Sequence, residues 1–128
     1  MEGNGMNEQK ESFGEFLAAK RMEAKLTYRE LAGGLSCSIP YLSDVEKGRR
    51  LPPDMEKLKK LARMLELSAQ DENKLYDLAG KMRNTVAPDL PEYVRREYVS
   101  AALRKARDLG AGEKEWRQFL EELQNRKG

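Results

Sequence analysis

The segment SCSIPYLSDVEKGRRLPP, residues 36–53, constrains the fold more than any other stretch of the chain. Ser38 can cap a helix with its hydroxyl, and Pro40 is tolerated in the first turn, where its missing N–H would have no partner. Gly48 supplies a left-handed residue that ends such a helix. A helix of about nine residues is not stable by itself in water. The rest of the chain must therefore hold this short helix in place.

Capping signatures predict further short helices on both sides of this segment. Three serine or threonine residues are each followed three positions later by an acidic residue, which is the spacing of a capping box. These pairs are Ser12 and Glu15, Thr27 and Glu30, and Ser68 and Asp71. Apolar residues recur at helical spacing after each cap and again after Asp54, and the last helix is predicted to end at Gly80. With no strand pattern, the sequence predicts an all-α fold with five short helices in residues 11–80.

The C-terminal part of the sequence predicts a linker and a two-helix extension. Residues 81–91 have weak periodicity and two prolines, so we expect a linker there. In residues 92–126, the motif GAG at 110–112 separates two amphipathic helices. Their apolar faces comprise Val99, Ala102, Leu103, Ala106 and Leu109 on the first helix, and Trp116, Phe119, Leu120 and Leu123 on the second. Residues 1–10 lack periodicity and are predicted to be a disordered lead-in.

Composition excludes several classes of function. The chain has one cysteine and no histidine, which excludes disulfide scaffolds, the usual Cys/His zinc sites and histidine-based catalysis. It has no Gly-rich phosphate loop and no serine or cysteine with a base at a known spacing, so we expect neither an enzyme nor a cofactor. No apolar run approaches membrane-spanning length and the N-terminus lacks a signal-peptide core. We therefore expect a cytoplasmic protein with no membrane partner.

Charge is informative only where it clusters. The formal net charge is +2, so any face that binds nucleic acid must come from a local concentration of basic residues. Between Lys47 and Arg63, seven residues are basic and two are acidic. A basic run by itself is equally compatible with a solvated surface, so its meaning depends on the motif beside it.

The second and third predicted helices have the layout of a helix-turn-helix. Their apolar residues are Leu31, Ala32, Leu35, Leu42 and Val45. A turn of about three residues separates the two helices, and in such a unit the second helix enters the major groove of DNA. The stretch LTYRELAGGLSCSIPYLSDVEKGRRLPP resembles the Cro/repressor-type helix-turn-helix family, also called the xenobiotic-response-element family. The resemblance extends from Phe13 to Leu67 and implies a five-helix, phage-repressor-like domain.

The resemblance also implies roles for individual residues around a recognition helix at 38–47. The positions that would read bases are Ser38, Ile39, Pro40, Ser43 and Asp44. The positions that match phosphate contacts of the family are Thr27, Tyr28, Lys47, Arg49 and Arg50. Arg21 and Glu46 match a buried salt bridge that joins the first helix to the end of the third in family members. Their role would be structural.

The sequence departs from the family pattern at several of these positions. Ser36 replaces the glycine that is usual in the turn, Lys25 stands where a glycine often ends the first helix, and Tyr28 replaces a frequent glutamine. The recognition face carries no Arg, Asn or Gln, which are the strongest base-reading side chains. Ile39 can contact a thymine methyl, and Asp44 can either accept from cytosine N4 or act as a local helix partner. We therefore expect base specificity to be modest and partly indirect.

The two C-terminal helices leave two alternatives open. Their apolar faces either pack within the protomer or form a dimer interface around Trp116, Phe119, Leu120 and Leu123. The tail resembles those appended to such regulators in Gram-positive bacteria. The predicted function is a transcriptional repressor that binds a palindromic operator in double-stranded DNA as a homodimer. The alternative is an antitoxin, in which the same domain autoregulates while the tail masks a toxin protein.

Overall fold

Capping bonds begin the first two helices at the residues that the sequence predicts. The computed structural model describes residues 11–126, and the predicted lead-in at 1–10 lies outside them. The Ser12 hydroxyl accepts a hydrogen bond from the Glu15 N–H, and the Glu15 carboxylate accepts one from the Ser12 N–H, both at 3.1 Å. Thr27 and Glu30 form the same reciprocal pair at 3.0 and 2.9 Å. Two of the three predicted capping boxes are thus confirmed, and at the third the Ser68 hydroxyl accepts the Asp71 N–H at 3.1 Å.

Residues 11–126 form eight α-helices and no strand, which confirms the all-α prediction. In chain order the helices are α1 (Phe13–Glu23), α2 (Tyr28–Leu35), α3 (Ile39–Glu46), α4 (Met55–Met64), α5 (Ala69–Arg83), α6 (Pro91–Val94), α7 (Glu97–Asp108) and α8 (Glu113–Arg126). Ser38, Asp54 and Ser68 cap α3, α4 and α5, each through one side-chain oxygen that accepts a backbone N–H. None of these eight helices is long and apolar enough to cross a membrane.

The core of the first five helices holds α3 in place. Helix α1 packs against α3 and α5, α2 packs against α3 and α4, and α4 packs against α5. The side chains of Leu17, Leu31, Leu61 and Leu75 are completely buried. Burying a leucine side chain stabilises a fold by about 1.5–3 kcal/mol, so packing rather than helix propensity keeps these short helices formed.

The end of α5 differs from the prediction. The helix continues past Gly80 to Arg83 and ends at Asn84, which adopts the left-handed conformation with φ 60°. A Cβ atom at Gly80 would lie 2.7 Å from the Val86 carbonyl oxygen and 2.8 Å from the Ala87 nitrogen. Gly80 is therefore a close-approach residue inside the helix, where it lets the returning chain pack against α5. It does not end the helix, and the first residues of the predicted linker are helical.

The chain divides into two compact units between Pro91 and Glu92. The second unit contains α7 and α8 together with most of α6, a single turn that the sequence does not predict. None of residues 92–126 is buried. The rings of Trp116 and Phe119 meet edge to face with centroids 6.2 Å apart, yet each side chain remains about half exposed. The apolar stripe of α8 is thus about half exposed.

Candidate nucleic-acid interface

Helices α2 and α3 are joined by a turn of three residues, Ser36 to Ser38. Ser36 ends α2 in the left-handed conformation, with φ 57° and ψ 44°. The Cys37 N–H then donates to the Ala32 carbonyl at 3.0 Å, and the Ser38 hydroxyl accepts from the Tyr41 N–H at 3.1 Å. The chain therefore makes the tight turn of a helix-turn-helix although the position usually held by glycine carries a serine.

The core fixes which face of α3 is presented outward. Leu42 and Val45 are buried against the domain. The five base-reading candidates lie at the start of α3 or on its outer side: Ser38, Ile39 and Pro40 are exposed, and Ser43 and Asp44 are partly exposed. The face that helical periodicity predicts is the face that remains accessible.

Arg21 and Glu46 tie α1 to the last residue of α3. Arg21 Nε donates to Glu46 Oε2 at 2.6 Å, and Nη2 donates to Glu46 Oε1 at 3.3 Å. Arg21 Nη1 donates to the Leu26 carbonyl at 3.0 Å. The side chains are 13% and 4% exposed. The hydrogen bonds to Glu46 raise the pKa of Arg21 above its usual value, so the guanidinium stays charged.

Tyr28 contacts both Arg21 and Glu46, and the sequence does not predict these contacts. Its hydroxyl donates to Glu46 Oε1 at 2.9 Å, and the guanidinium carbon of Arg21 lies 4.2 Å from the centre of its ring. The resemblance places Tyr28 at a phosphate contact, but in this structure the single hydroxyl proton is used inside the protein. The Glu46 cluster, formed by Arg21, Tyr28 and Glu46, connects α1, α2 and α3.

Gly14 is a further positioning residue that sequence reasoning missed. A Cβ atom at this position would lie 2.8 Å from the Val45 carbonyl oxygen and closer still to that of Glu46. The backbone of α1 thus lies directly against the end of α3. The available signal was a glycine inside a predicted helix, where alanine is ordinarily preferred, so that its presence indicates a packing requirement.

The basic segment, residues 47–50, follows α3 on the exposed side of the domain. Lys47, Arg49 and Arg50 are all exposed, and Gly48 turns the chain with φ 79°, as predicted. Arg49 Nη1 lies 3.8 Å from Asp44 Oδ1. The Arg50 guanidinium carbon lies 5.1 Å from the centre of the Tyr41 ring, which belongs to α3. The basic segment therefore folds back along α3 and concentrates positive charge beside its outer face.

Comparison with known proteins agrees with this geometry. The profile of a helix-turn-helix domain family matches residues 12–75. The chain belongs to this helix-turn-helix family. The match begins at the cap of α1 and ends within α5, so it includes the Glu46 cluster and the basic segment, and it is in keeping with the Cro/repressor-type resemblance of the sequence. A search of curated proteins and a search of solved structures gave no match.

The chemistry of the helix-turn-helix domain suits a nucleic-acid ligand. The Ser38 and Ser43 hydroxyls can donate to and accept from base edges, and Ile39 offers an apolar contact for a thymine methyl. Asp44 is partly exposed and its Oδ1 lies 3.8 Å from Arg49 Nη1, so its two alternative roles, a base contact or a local partner, stay predictions. Within residues 11–126, no group of three or more His, Cys, Asp and Glu side chains is placed to hold a metal ion.

Proposed function

We propose that this protein is a sequence-specific transcriptional regulator, a repressor that occupies an operator by placing α3 in the major groove. The observation that carries the proposal is the pairing of two exposed features. The start of α3 offers its cap Ser38 together with Ile39 and Pro40, and the adjoining basic segment offers three cationic side chains. Base contacts specify a sequence while phosphate contacts set position and affinity, so the two features complement each other on one duplex.

The proposed contacts follow the division between these features. Ser43 and Asp44 extend the base-reading set along α3. Lys47, Arg49, Arg50 and the α2 cap Thr27 contact phosphates, and Asp44 limits indiscriminate attraction of the duplex through its own negative charge. Because no Arg, Asn or Gln stands on the outer face of α3, one protomer discriminates weakly between bases.

We further propose that the second unit pairs two protomers. Helices of this length without a buried side chain are not stable by themselves, so the exposed stripes of α7 and α8 need a covering surface. A second copy supplies identical stripes, and four amphipathic helices form a common closed arrangement. Trp116, Phe119, Leu120 and Leu123 would lie in this interface. Pairing doubles the DNA site, and half-site centres would lie about 10 base pairs apart or a multiple of this.

Selection from random double-stranded DNA tests the proposed function. The 128-residue protein should enrich a near-palindromic sequence. Arg49→Ala with Arg50→Ala should weaken binding to selected and shuffled duplexes alike, and should reduce the log–log salt slope by about two. Arg104→Ala with Lys105→Ala removes the same charge from the exposed surface of α7 and serves as the matched control. No enriched sequence, or equal losses for both double variants, would contradict the proposal.

Sedimentation tests the proposed pairing of two protomers. The proposed dimer should form at micromolar concentration and dissociate when Trp116 and Phe119 are both changed to alanine. A monomer that still selects a DNA sequence would contradict the proposed pairing. It would leave two alternatives, packing of the stripes within the protomer and the antitoxin hypothesis, in which a toxin covers α7 and α8.

A further inference from the structure

We propose that Tyr28 is a positioning residue that sets the orientation of α3 for base reading, and that its hydroxyl does not contact a DNA phosphate. This inference rests on the proposed function, because it concerns how the recognition helix is held against the rest of the domain. Tyr28, the first residue of α2, has two alternative roles, a contact with a DNA phosphate or a bond to Glu46.

The Glu46 carboxylate requires Tyr28 as well as Arg21. Its side chain is only 4% exposed, so water supplies little solvation and the oxygens depend on protein donors. Oε2 receives a short bond from Arg21 Nε at 2.6 Å. Oε1 receives the Tyr28 hydroxyl at 2.9 Å and a longer contact from Arg21 Nη2 at 3.3 Å. Tyr28 is therefore the nearer partner of Oε1.

Tyr28 also orients Arg21. The guanidinium lies over the aromatic ring, 4.2 Å from its centre to the guanidinium carbon, which is a favourable cation–π distance. The Tyr28 side chain thus contacts the Glu46 carboxylate through its hydroxyl and the Arg21 guanidinium through its ring. Since Tyr28 begins α2 and Glu46 ends α3, this arrangement joins the two helices at the end opposite their turn.

The bond between Tyr28 and Glu46 affects base reading because it helps to fix the angle between α2 and α3. The turn at Ser36–Ser38 joins the helices at one end, and the Tyr28–Glu46 bond restrains the other. Loss of the hydroxyl removes the link between α2 and the end of α3, while the Arg21–Glu46 bonds and the core residues Leu42 and Val45 stay in place. A phosphate contact by the same hydroxyl would withdraw its proton from a nearly buried carboxylate, which is costly.

Tyr28→Phe tests the proposal because it removes only the hydroxyl. Tyr93→Phe removes an exposed hydroxyl from the second unit and is the matched control. Binding is measured on a duplex selected from a random library and on its shuffled version, at a temperature where each variant is fully folded. For Tyr28→Phe we expect the ratio of selected to shuffled affinity to fall about tenfold, because one hydrogen bond to a charged group is lost. Affinity for the shuffled duplex and the salt slope should stay as in wild type.

A second arm measures the same bond without DNA. Tyr28→Phe should lower the folding equilibrium constant about tenfold, and this loss should shrink in a Glu46→Gln background, where the acceptor is neutral. Equal losses on the two duplexes would assign Tyr28 to a phosphate and overturn the proposal. Reduced stability with an unchanged ratio would also overturn it. If the wild-type protein selects no sequence, the proposed function itself fails, whereas additive losses in the DNA-free cycle refute the Tyr28–Glu46 bond alone.

Discussion

The two units of this protein share a sequence pattern and differ in what covers it. Helix α4 and helix α8 both carry apolar residues at helical spacing with charged residues between them. In α4 the apolar residues Leu58 and Leu61 are buried, whereas in α8 the equivalent stripe, including Leu120, is about half exposed. The first unit supplies its own covering surfaces from five helices. The second unit has no buried residue among 92–126.

This difference shows that an amphipathic pattern predicts a helix but does not identify its partner. In the first unit each short helix packs against its neighbours, and this packing fixes which face of α3 remains exposed. In the second unit the same kind of pattern leaves the apolar side chains exposed. The first unit therefore has its own buried core, whereas residues 92–126 have none.

The largest expected effect contrasts a carboxylate in each unit. Glu46→Ala leaves the Arg21 guanidinium nearly buried without its partner and should lower the free energy of unfolding by about 3–5 kcal/mol. Glu121→Ala, on the exposed surface of α8, should change it by no more than about 0.5 kcal/mol. Urea unfolding followed by circular dichroism measures both. Equal and small losses would mean that Glu46 is not a structural anchor.

The next effect contrasts a leucine in each unit. Leu31→Ala should cost about 2–5 kcal/mol in the first unit, because the side chain is completely buried and leaves a cavity. Leu120→Ala should leave this transition unchanged and instead weaken self-association. Trp116 is the single tryptophan, so its fluorescence reports on the second unit alone. A fluorescence transition independent of protein concentration would contradict pairing through α8.

Gly14→Ala should have an intermediate effect. The added methyl group would meet the carbonyl oxygens at the end of α3, and overpacking of this kind costs about 1–3 kcal/mol. Gly33→Ala is the control, since a Cβ atom there meets open space. Thermal unfolding should therefore separate the two variants. A Gly14→Ala protein as stable as Gly33→Ala would mean that α1 and α3 can move apart without cost.

The features of the first unit that depend on neighbouring residues could be predicted from the sequence. The contacts between residues far apart in the chain could not. The caps at Ser12, Thr27 and Ser38 act within one helical turn, so sequence spacing reveals them. The contact of Gly14 with the end of α3 and the bond from Tyr28 to Glu46 join residues far apart in the chain. Only the packed structure brings these groups together. Gly80 was misread for the same reason, because its neighbour is a later segment of chain.

The domain resemblance predicted more of the site than the periodicity did. It indicated Arg21 and Glu46 as partners, which the helical pattern alone could not pair. It also carried over a phosphate role for Tyr28, although the tyrosine hydroxyl is directed at Glu46 in this chain. A substituted residue at a familiar position can thus acquire a different role, and its actual contacts decide which.

The smallest effect contrasts a left-handed residue in each unit. Ser36 adopts φ 57° without being glycine, so Ser36→Gly should relieve strain and stabilise the first unit by about 0.5 kcal/mol after the added chain entropy. Gly110 has φ 76°, so Gly110→Ala should disfavour the turn between α7 and α8 by about 1 kcal/mol. Thermal unfolding checks Ser36→Gly, and the helix content by circular dichroism checks Gly110→Ala. A destabilised Ser36→Gly protein would mean that the serine side chain stabilises the turn.

Methylation interference on a selected duplex tests the central claim most directly. The reagent dimethyl sulfate modifies guanine N7 in the major groove and adenine N3 in the minor groove, so it reports which groove the protein needs. The account predicts interference at major-groove positions in two half-sites whose centres lie about 10 base pairs apart, or a multiple of it, as expected for one α3 helix in each. Interference confined to adenine N3, or binding unaffected by methylation at any position, would contradict the placement of α3 in the major groove.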